Sequence, residues 1–457
     1  MKKKAKFAVI GAGSLCFCPA TVADILLDES FGALDQVEIY LMDIRGEALA
    51  LPKNYCEKLA ARLGRKVVVN ASSDLNEAVY GADFVISAIE VERYHYWSQD
   101  FHIPRRYGFR QIYGENGGPG GMFHTLRNLP PIIEIARAME RGCPEAWLLN
   151  YTNPEAKLVE GVSRLTKTKA VGLCHGIGGG IAQLAAFLGL PAERIGASPV
   201  GLNHFGWFTK VWDKETGEDL YPRLRERERE ADWLAHWDEL ALSRILLRTY
   251  GLWSYPGANH IGEYIAWSDG FLAGQSVQYH FDPASEDPWA AKKPPQFVYS
   301  LSGNVMGREL FPPPGGGDRY AEVFDPEREI RTSGEFGIPI ARAVFFGEPA
   351  EIGAVNMPNR GYAPDLPEGM VIELPALADG GGIHPHGCDP LPVAVASMIS
   401  TQGAIHRLVI EAYAEKSRNK LLQAVLLDPT VSSYNNAVAL IDEMCERQKD
   451  ILPPMYW

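Results

Sequence analysis

The chain has 457 residues, 46% of them hydrophobic and 22% charged, with a formal net charge of −13. That is ample apolar material for a core and more length than one core usually takes. The acidic balance disfavours nucleic acid and anionic membrane surfaces as partners. Seven cysteines at irregular spacing, Cys16, Cys18, Cys56, Cys143, Cys174, Cys388 and Cys445, suit a reducing cytoplasm better than a disulfide framework. No uninterrupted apolar run approaches the roughly 18 residues that a membrane span needs.

Lys2, Lys3 and Lys4 ahead of the apolar residues 7–17 resemble the start of a signal peptide, but the glycines in that run have a better use. Residues 6–10 read as a strand, Gly11-Ala-Gly13-Ser14 as a tight turn, residues 21–27 as a helix and residues 37–42 as a second strand ending at Asp43. Strand, glycine turn, helix, strand and acid are the opening of a Rossmann unit. Gly11, Gly13 and Ser14 would let the backbone approach a pyrophosphate at a helix N-terminus. Asp43 would accept from ribose hydroxyls, which favours NAD over NADP. Cys16 stands where a third glycine is usual, so a glycine turn without a cofactor remains the alternative.

The alternation continues. Helices are expected over 46–63, 75–79, 129–141 and 156–165, and strands over 66–70, 82–87, 146–149 and 170–173. This pattern predicts an α/β chain: a Rossmann-like, doubly wound parallel sheet over residues 1–195, with ligands at the carboxyl ends of its strands. Asp43, Asn150 and Cys174 fall at such ends. Beyond residue 195 the pattern changes. Residues 198–203 and 207–213 are strand-like, 223–230 is a charge run on a solvated helix face, and 231–250 is helical. The proline- and glycine-rich residues 282–317 read as a loop or lid, 340–374 as short strands, and 391–416 and 432–448 as helices. Residues 196–457 are therefore predicted to form a mixed α+β domain that binds metal and substrate and carries oligomerisation.

Few residue types here can do chemistry, and each has a bland alternative. Cys174 and His204 close two short apolar runs; a thiolate and an imidazole there could share one divalent transition metal, or each could be core filling. Asn150 and Asn153, in Asn150-Tyr-Thr-Asn153-Pro154, could bond a nicotinamide ribose or a sugar hydroxyl, or merely start a turn. Glu115-Asn-Gly-Gly-Pro-Gly-Gly121 reads as a lid or a long connection. His260, Glu263 and Tyr264 form a third group; a tyrosine base needs a nearby cation to lower its pKa.

Together these motifs resemble the family-four glycoside hydrolases, the NAD- and divalent-metal-dependent glycosidases. The likeness runs nearly end to end, through Gly11-Ala-Gly13-Ser14, Gly117-Gly-Pro-Gly-Gly121, Thr152-Asn153-Pro154, Cys174-His175, Asn203-His204, Val355-Asn-Met-Pro-Asn359-Arg-Gly-Tyr362 and Leu427-Asp428-Pro429. The resemblance implies oxidation of the sugar at carbon 3 by NAD, loss of the carbon 2 proton, departure of the aglycone, water addition and return of the hydride. It implies Mn²⁺ or a similar ion as Lewis acid. By motif, Cys174 and His204 match the metal ligands, His175 the acid and Asn153 a substrate contact. The base is expected at Tyr264, with His260 and Glu263 as alternatives, because Gly257-Ala-Asn259-His260 lacks an aspartate that some relatives carry. Cys174-His175-Gly176-Ile177 looks most like the α-galacturonidase version, with α-glucuronidase next. A uronate carboxylate calls for an arginine; Arg93, Arg127, Arg319, Arg331 and Arg360 are available. The resemblance further implies a homodimer or homotetramer acting on a small uronide, in the cytoplasm.

Overall fold

The computed structural model describes residues 3–232, 237–271, 277–280, 287, 289–290, 296–299 and 318–457. Six strands, β1 (Lys4–Ile10), β2 (Gln36–Met42), β3 (Val67–Ser72), β4 (Phe84–Ser87), β5 (Trp147–Asn150) and β6 (Lys169–Gly172), pair in parallel in the order β3-β2-β1-β4-β5-β6. This is the Rossmann order, as the alternation predicts. Side chains alternate across the pleat. Phe7 and Val9 face one core with Val22, Leu26 and Leu59. Ala8 and Ile10 face another with Leu129, Ile132 and Val159. The sheet is thus covered on both faces.

The later part of the chain extends this sheet. Strands β7 (Ile195–Leu202), β8 (Phe205–Asp213) and β9 (Trp253–Tyr255) form an antiparallel meander. A separate antiparallel pair is made by β10 (Val277–His280) and β11 (Gln296–Tyr299). The antiparallel β12 (Ala350–Pro358) and β13 (Val371–Asp379) lie between β6 and β7, and β14 (Gly382–Pro385) pairs with β13.

Several elements differ from the sequence-based expectation. The helix expected from residue 129 spans Gly118–Gly142, so the glycine run is a helix start rather than a lid; Gly118, Pro119, Gly120 and Gly121 are all buried. Helices Arg93–Arg106, Gly176–Leu188 and Gly337–Phe346 were not anticipated. The last replaces expected strand: Ile338, Ala341 and Ile340, Ala343 are buried at helical spacing, and Gly347 at φ +76° ends the helix. The charge run is a helix over Tyr221–Glu230, but Glu228 is buried and pairs with Arg244 and Arg248. The expected lid, 282–317, falls almost wholly outside the described residues. Helix Val393–Glu415 is long and apolar enough by composition to cross a bilayer, with a mean hydropathy of 1.3. Its Val395, Ile399, Ile405, Val409 and Ile410 are buried in the protein.

Candidate active site

Strands β6, β12, β13 and β7 meet along one row of paired residues, Gly172, Asn356, Glu373 and Gly201. Cys174 stands two residues past one end of that row. His204 stands three past the other, in the β7–β8 turn. The row therefore brings together two side chains that are distant in sequence: Cys174 Sγ lies 3.7 Å from His204 Nε2. His204 is held at φ +68°, a conformation that costs a non-glycine residue about 1–3 kcal/mol and gathers at functional sites.

Around His204 is a buried polar cluster. Asn116 Nδ2 lies 2.8 Å from His204 Nδ1, and the His260 ring centroid is 4.1 Å from that of His204. Glu115 Oε2 stands 4.0 Å from His204 Nδ1 and 3.9 Å from His260 Nδ1, and Glu263 Oε1 is 4.0 Å from His260 Nδ1. Glu115, His204, His260 and Glu263 can each present a ligand atom within 4.8 Å of the others. Burial lowers the pKa of both imidazoles, which keeps them neutral, as ligation requires. Burial and then the Glu373 carboxylate push the Cys174 thiol up to about 12. Three buried atoms, His260 Nδ1, Glu263 Oε1 and Asn203 Oδ1, have no hydrogen-bond partner among the described residues. Imidazole and carboxylate donors with unused valence fit a divalent transition metal; Cys174 is not among the four residues that converge, and its sulfur meets His204 at Nε2.

Of the five arginines considered, Arg93 borders this cluster. Its guanidinium pairs with Glu90 at 3.0 Å and with Glu115, and stacks over Trp97. Glu90 also meets His124 Nε2 at 3.1 Å and Asn128 Nδ2 at 3.2 Å. Arg127 is committed elsewhere, to Asp100 and Gln448. Arg331 pairs with Glu329 at the surface, Arg360 is exposed, and the Arg319 side chain lies outside the described residues.

His175 is exposed, with Nδ1 2.7 Å from Glu335 Oε1. That hydrogen bond is the largest influence on His175 and raises its pKa. Tyr264 is buried, stacks on Phe205 and donates to the Asn203 carbonyl at 3.4 Å. Burial first, then Glu263 and Glu115, push its hydroxyl well up, opposite to what activates a base. Glu263 Oε2 accepts from the backbone N–H groups of Glu115, Asn116 and Gly117 at 2.8, 2.7 and 2.7 Å, a carboxyl group seated at the start of helix Gly118–Gly142 whose pKa burial and then Glu115 push well up. Asn153 is half-buried, and its carbonyl accepts from Asn128 Nδ2 at 2.7 Å.

The glycine turn lies at the carboxyl end of β1. Gly11 has φ +85°, and a Cβ there would collide with the Ala88 carbonyl. Gly13 N–H donates to Asp43 Oδ2 at 2.9 Å, and a Cβ on Gly13 would stand 2.7 Å from that oxygen. Ser14 Oγ accepts from Phe17 N–H at 3.2 Å, at the start of helix Phe17–Leu27. Asn150 is buried; its amide accepts from Ser87 Oγ at 2.8 Å and donates to the Thr152 carbonyl at 3.0 Å. Between this helix start and His175 runs a cleft of about 300 Å³, lined by Phe17, Thr21, Asp24, Tyr151, Ser333 and Glu335 among others. A backbone cradle that only glycine permits, opening on a cleft, fits a dinucleotide.

Sequence reasoning missed Glu90, Glu115, Asn116, Glu335 and Glu373. The expectation of a loop hid Glu115 and Asn116. No local signal marks Glu335 or Glu373, which reach the site through long-range packing.

Residues 6–190 match the family 4 glycosyl hydrolases, and residues 199–431 match the family 4 glycosyl hydrolase C-terminal domain. The chain is 32% identical to an α-glucosidase of Erwinia rhapontici, covering 97% of this chain and 98% of that one. It is 29% identical to an α-galacturonidase of Thermoanaerobacter italicus, covering 98% and 97%. Its fold is similar to that of a 6-phospho-β-glucosidase of Thermotoga maritima solved with manganese, NAD⁺ and glucose-6-phosphate. The TM-score is 0.75 at 23% identity, over 98% of this chain and 100% of the other.

Proposed function

The chain belongs to the family 4 glycosyl hydrolases, and from that premise we propose that it hydrolyses α-galacturonides with NAD and Mn²⁺ or a similar divalent ion. The observation that carries this reading is the 3.7 Å approach of Cys174 Sγ to His204 Nε2. When bound, the two groups supply a reversible hydride acceptor and a Lewis acid. Gly11, Gly13 and Ser14 would hold the dinucleotide pyrophosphate, Asp43 its ribose, and Asn150 the strand end beneath it. Cys174 and His204 would hold the ion, and Asn153 a sugar hydroxyl. His175, whose pKa the Glu335 hydrogen bond raises, would deliver a proton to the departing glycosidic oxygen. Its side chain is 75% exposed, so it can be re-protonated from solvent. Of the expected bases, His260 has the stronger support: its imidazole is neutral and its Nδ1 uncommitted, whereas Tyr264 donates to Asn203. Arg93 is the arginine nearest to serving a uronate carboxylate.

The galacturonide assignment rests on Cys174-His175-Gly176-Ile177 and is supported by the α-galacturonidase relative. The greater identity to an α-glucosidase supports an α-glucoside as the second reading. On the same premise we place the division between cofactor and substrate parts at residues 195/196, and infer a cytoplasmic homodimer or homotetramer. All seven cysteines are unpaired, which agrees with that compartment.

The test is hydrolysis of an aryl α-galacturonide beside the matching α-glucuronide and α-glucoside, with NAD⁺, Mn²⁺ and thiol present or singly omitted. Turnover of the galacturonide alone, lost when NAD⁺ or Mn²⁺ is withheld, is the expected result. Turnover of another glycoside overturns the substrate. Stoichiometric accumulation of NADH without glycoside cleavage would mean a dehydrogenase instead.

A further inference from the structure

We propose that Asn116 is the positioning residue for His204, presented by a clamp that holds residues 115–117 from two sides. The proposal rests on the reading that Cys174 and His204 hold the divalent ion.

The clamp is built of buried groups that the reaction does not otherwise use. Glu263 Oε2 takes the N–H groups of Glu115, Asn116 and Gly117. Lys157, buried on helix Glu155–Leu165, donates its ammonium to the Asn116 carbonyl. Gly117 is required for the fit, because a Cβ there would stand 2.6 Å from Glu263 Cβ and 2.7 Å from its carbonyl oxygen. Two elements remote in sequence thus fix the amide and the carbonyl of Asn116. Neither is free to turn toward solvent.

The fixed backbone places the Asn116 side-chain amide 2.8 Å from His204 Nδ1, on the ring edge opposite Cys174. As placed, Nδ2 also donates to Glu115 Oε2 at 3.3 Å; a half-turn of the amide gives up that bond and presents the oxygen to Nδ1. With the oxygen accepting from Nδ1–H, the lone pair of the imidazole sits on Nε2, the nitrogen that faces Cys174 Sγ. A ligating histidine needs this kind of outer partner to fix tautomer and ring direction. The Glu115 carboxylate cannot take that place directly, since its nearest oxygen is 4.0 Å from Nδ1. Among the described residues, Asn116 is the one at hydrogen-bond distance of Nδ1.

The experiment is titration of the full-length protein with Mn²⁺, reading free Mn²⁺ by electron paramagnetic resonance, for wild type, Asn116→Ala, Asn116→Asp and Cys174→Ser. Cys174→Ser is expected to lose high-affinity binding. Asn116→Ala is expected to weaken it about 10- to 100-fold, with turnover recovered at saturating Mn²⁺. Asn116→Asp retains an acceptor toward Nδ1–H and is expected to bind as tightly as wild type or more so. Wild-type affinity in Asn116→Ala, with binding lost in Cys174→Ser, overturns the role of Asn116 and leaves the metal site standing. Undiminished binding in Cys174→Ser instead overturns the metal-site reading. Should Asn116→Ala not fold, the near-isosteric Asn116→Leu carries the same expectation.

Discussion

The glycine turn and the His204 cluster are both polar and both lie at strand ends, yet they use their side chains in opposite ways. At the turn the side chains are already occupied. Asp43 accepts from the backbone of Gly13 and Arg45, and Asn150 is bonded to Ser87 and Thr152. Beyond the remaining lone pairs of Asp43, what the turn offers a ligand is backbone, shaped by carboxylate and amide braces. In the His204 cluster the backbone is spent and side-chain atoms are left over: His260 Nδ1, Glu263 Oε1 and Asn203 Oδ1. A buried polar atom without a partner costs about 1–3 kcal/mol, and several in one place mark where a ligand is expected. The first region offers a ligand conformation, the second uncommitted side-chain atoms.

Two substitutions test that contrast. Cys174→Ala should lower kcat/KM by about 10³-fold or more, since a Lewis acid is worth several kcal/mol. Stability should move by less than about 1 kcal/mol, because the position is only half-buried. Retained activity would remove Cys174 from the metal site. Arg127→Ala should do the reverse. Arg127 and Asp100 are 0% exposed and bonded at 2.9 and 2.5 Å, with Gln448 at 3.0 Å. Removing one partner of such a pair costs about 3–5 kcal/mol, readable by urea unfolding, and should leave substrate preference unchanged. A change of preference at unchanged stability would make Arg127 the carboxylate reader in place of Arg93.

Gly11→Ala probes the conformational side of the contrast. A left-handed alanine costs about 1–2 kcal/mol, and its Cβ also meets the Ala88 carbonyl. NAD⁺ affinity, read by fluorescence titration, should fall by about 5- to 30-fold, and Mn²⁺ affinity should not change. Equal losses of both would mean that the two regions are one cooperative unit.

The two regions also differ in how far sequence alone reaches them. The strand–helix alternation through residue 173 was readable because each parallel strand is a short apolar run closed by a polar residue. Glycine misled wherever it serves packing rather than turning. Gly120 and Gly121 let the helix start press against the Asp100 carbonyl and the Asn116 backbone, and Gly180 makes room for Tyr255 and Phe208. The row that joins Gly172 to Gly201 passes through Asn356 and Glu373. Pairing across such separations leaves no local mark. Cys174 and His204 could therefore be named from motif and chemistry, but not the Asn116 and Glu115 that surround them.

The smallest effect expected is at the junction of the two regions, where His175 lines the cofactor-side cleft one residue beyond Cys174. Its Nδ1 meets Glu335 Oε1 at 2.7 Å, and that bond raises the His175 pKa. An acid must be protonated to act, so a raised pKa carries activity to higher pH, and activity falls as pH rises through it. Glu335→Gln keeps the side-chain shape but removes the charge that favours imidazolium. The alkaline limb of the kcat/KM–pH profile should then move to lower pH, while the rate on the acid side of that limb changes by less than about tenfold. Mn²⁺ affinity should stay at the wild-type value, since Glu335 touches His175 and not Cys174 or His204. An unmoved alkaline limb would remove His175 from proton delivery and leave its pairing with Glu335 a surface contact. A shifted limb with lost Mn²⁺ binding would assign Glu335 to the ion instead.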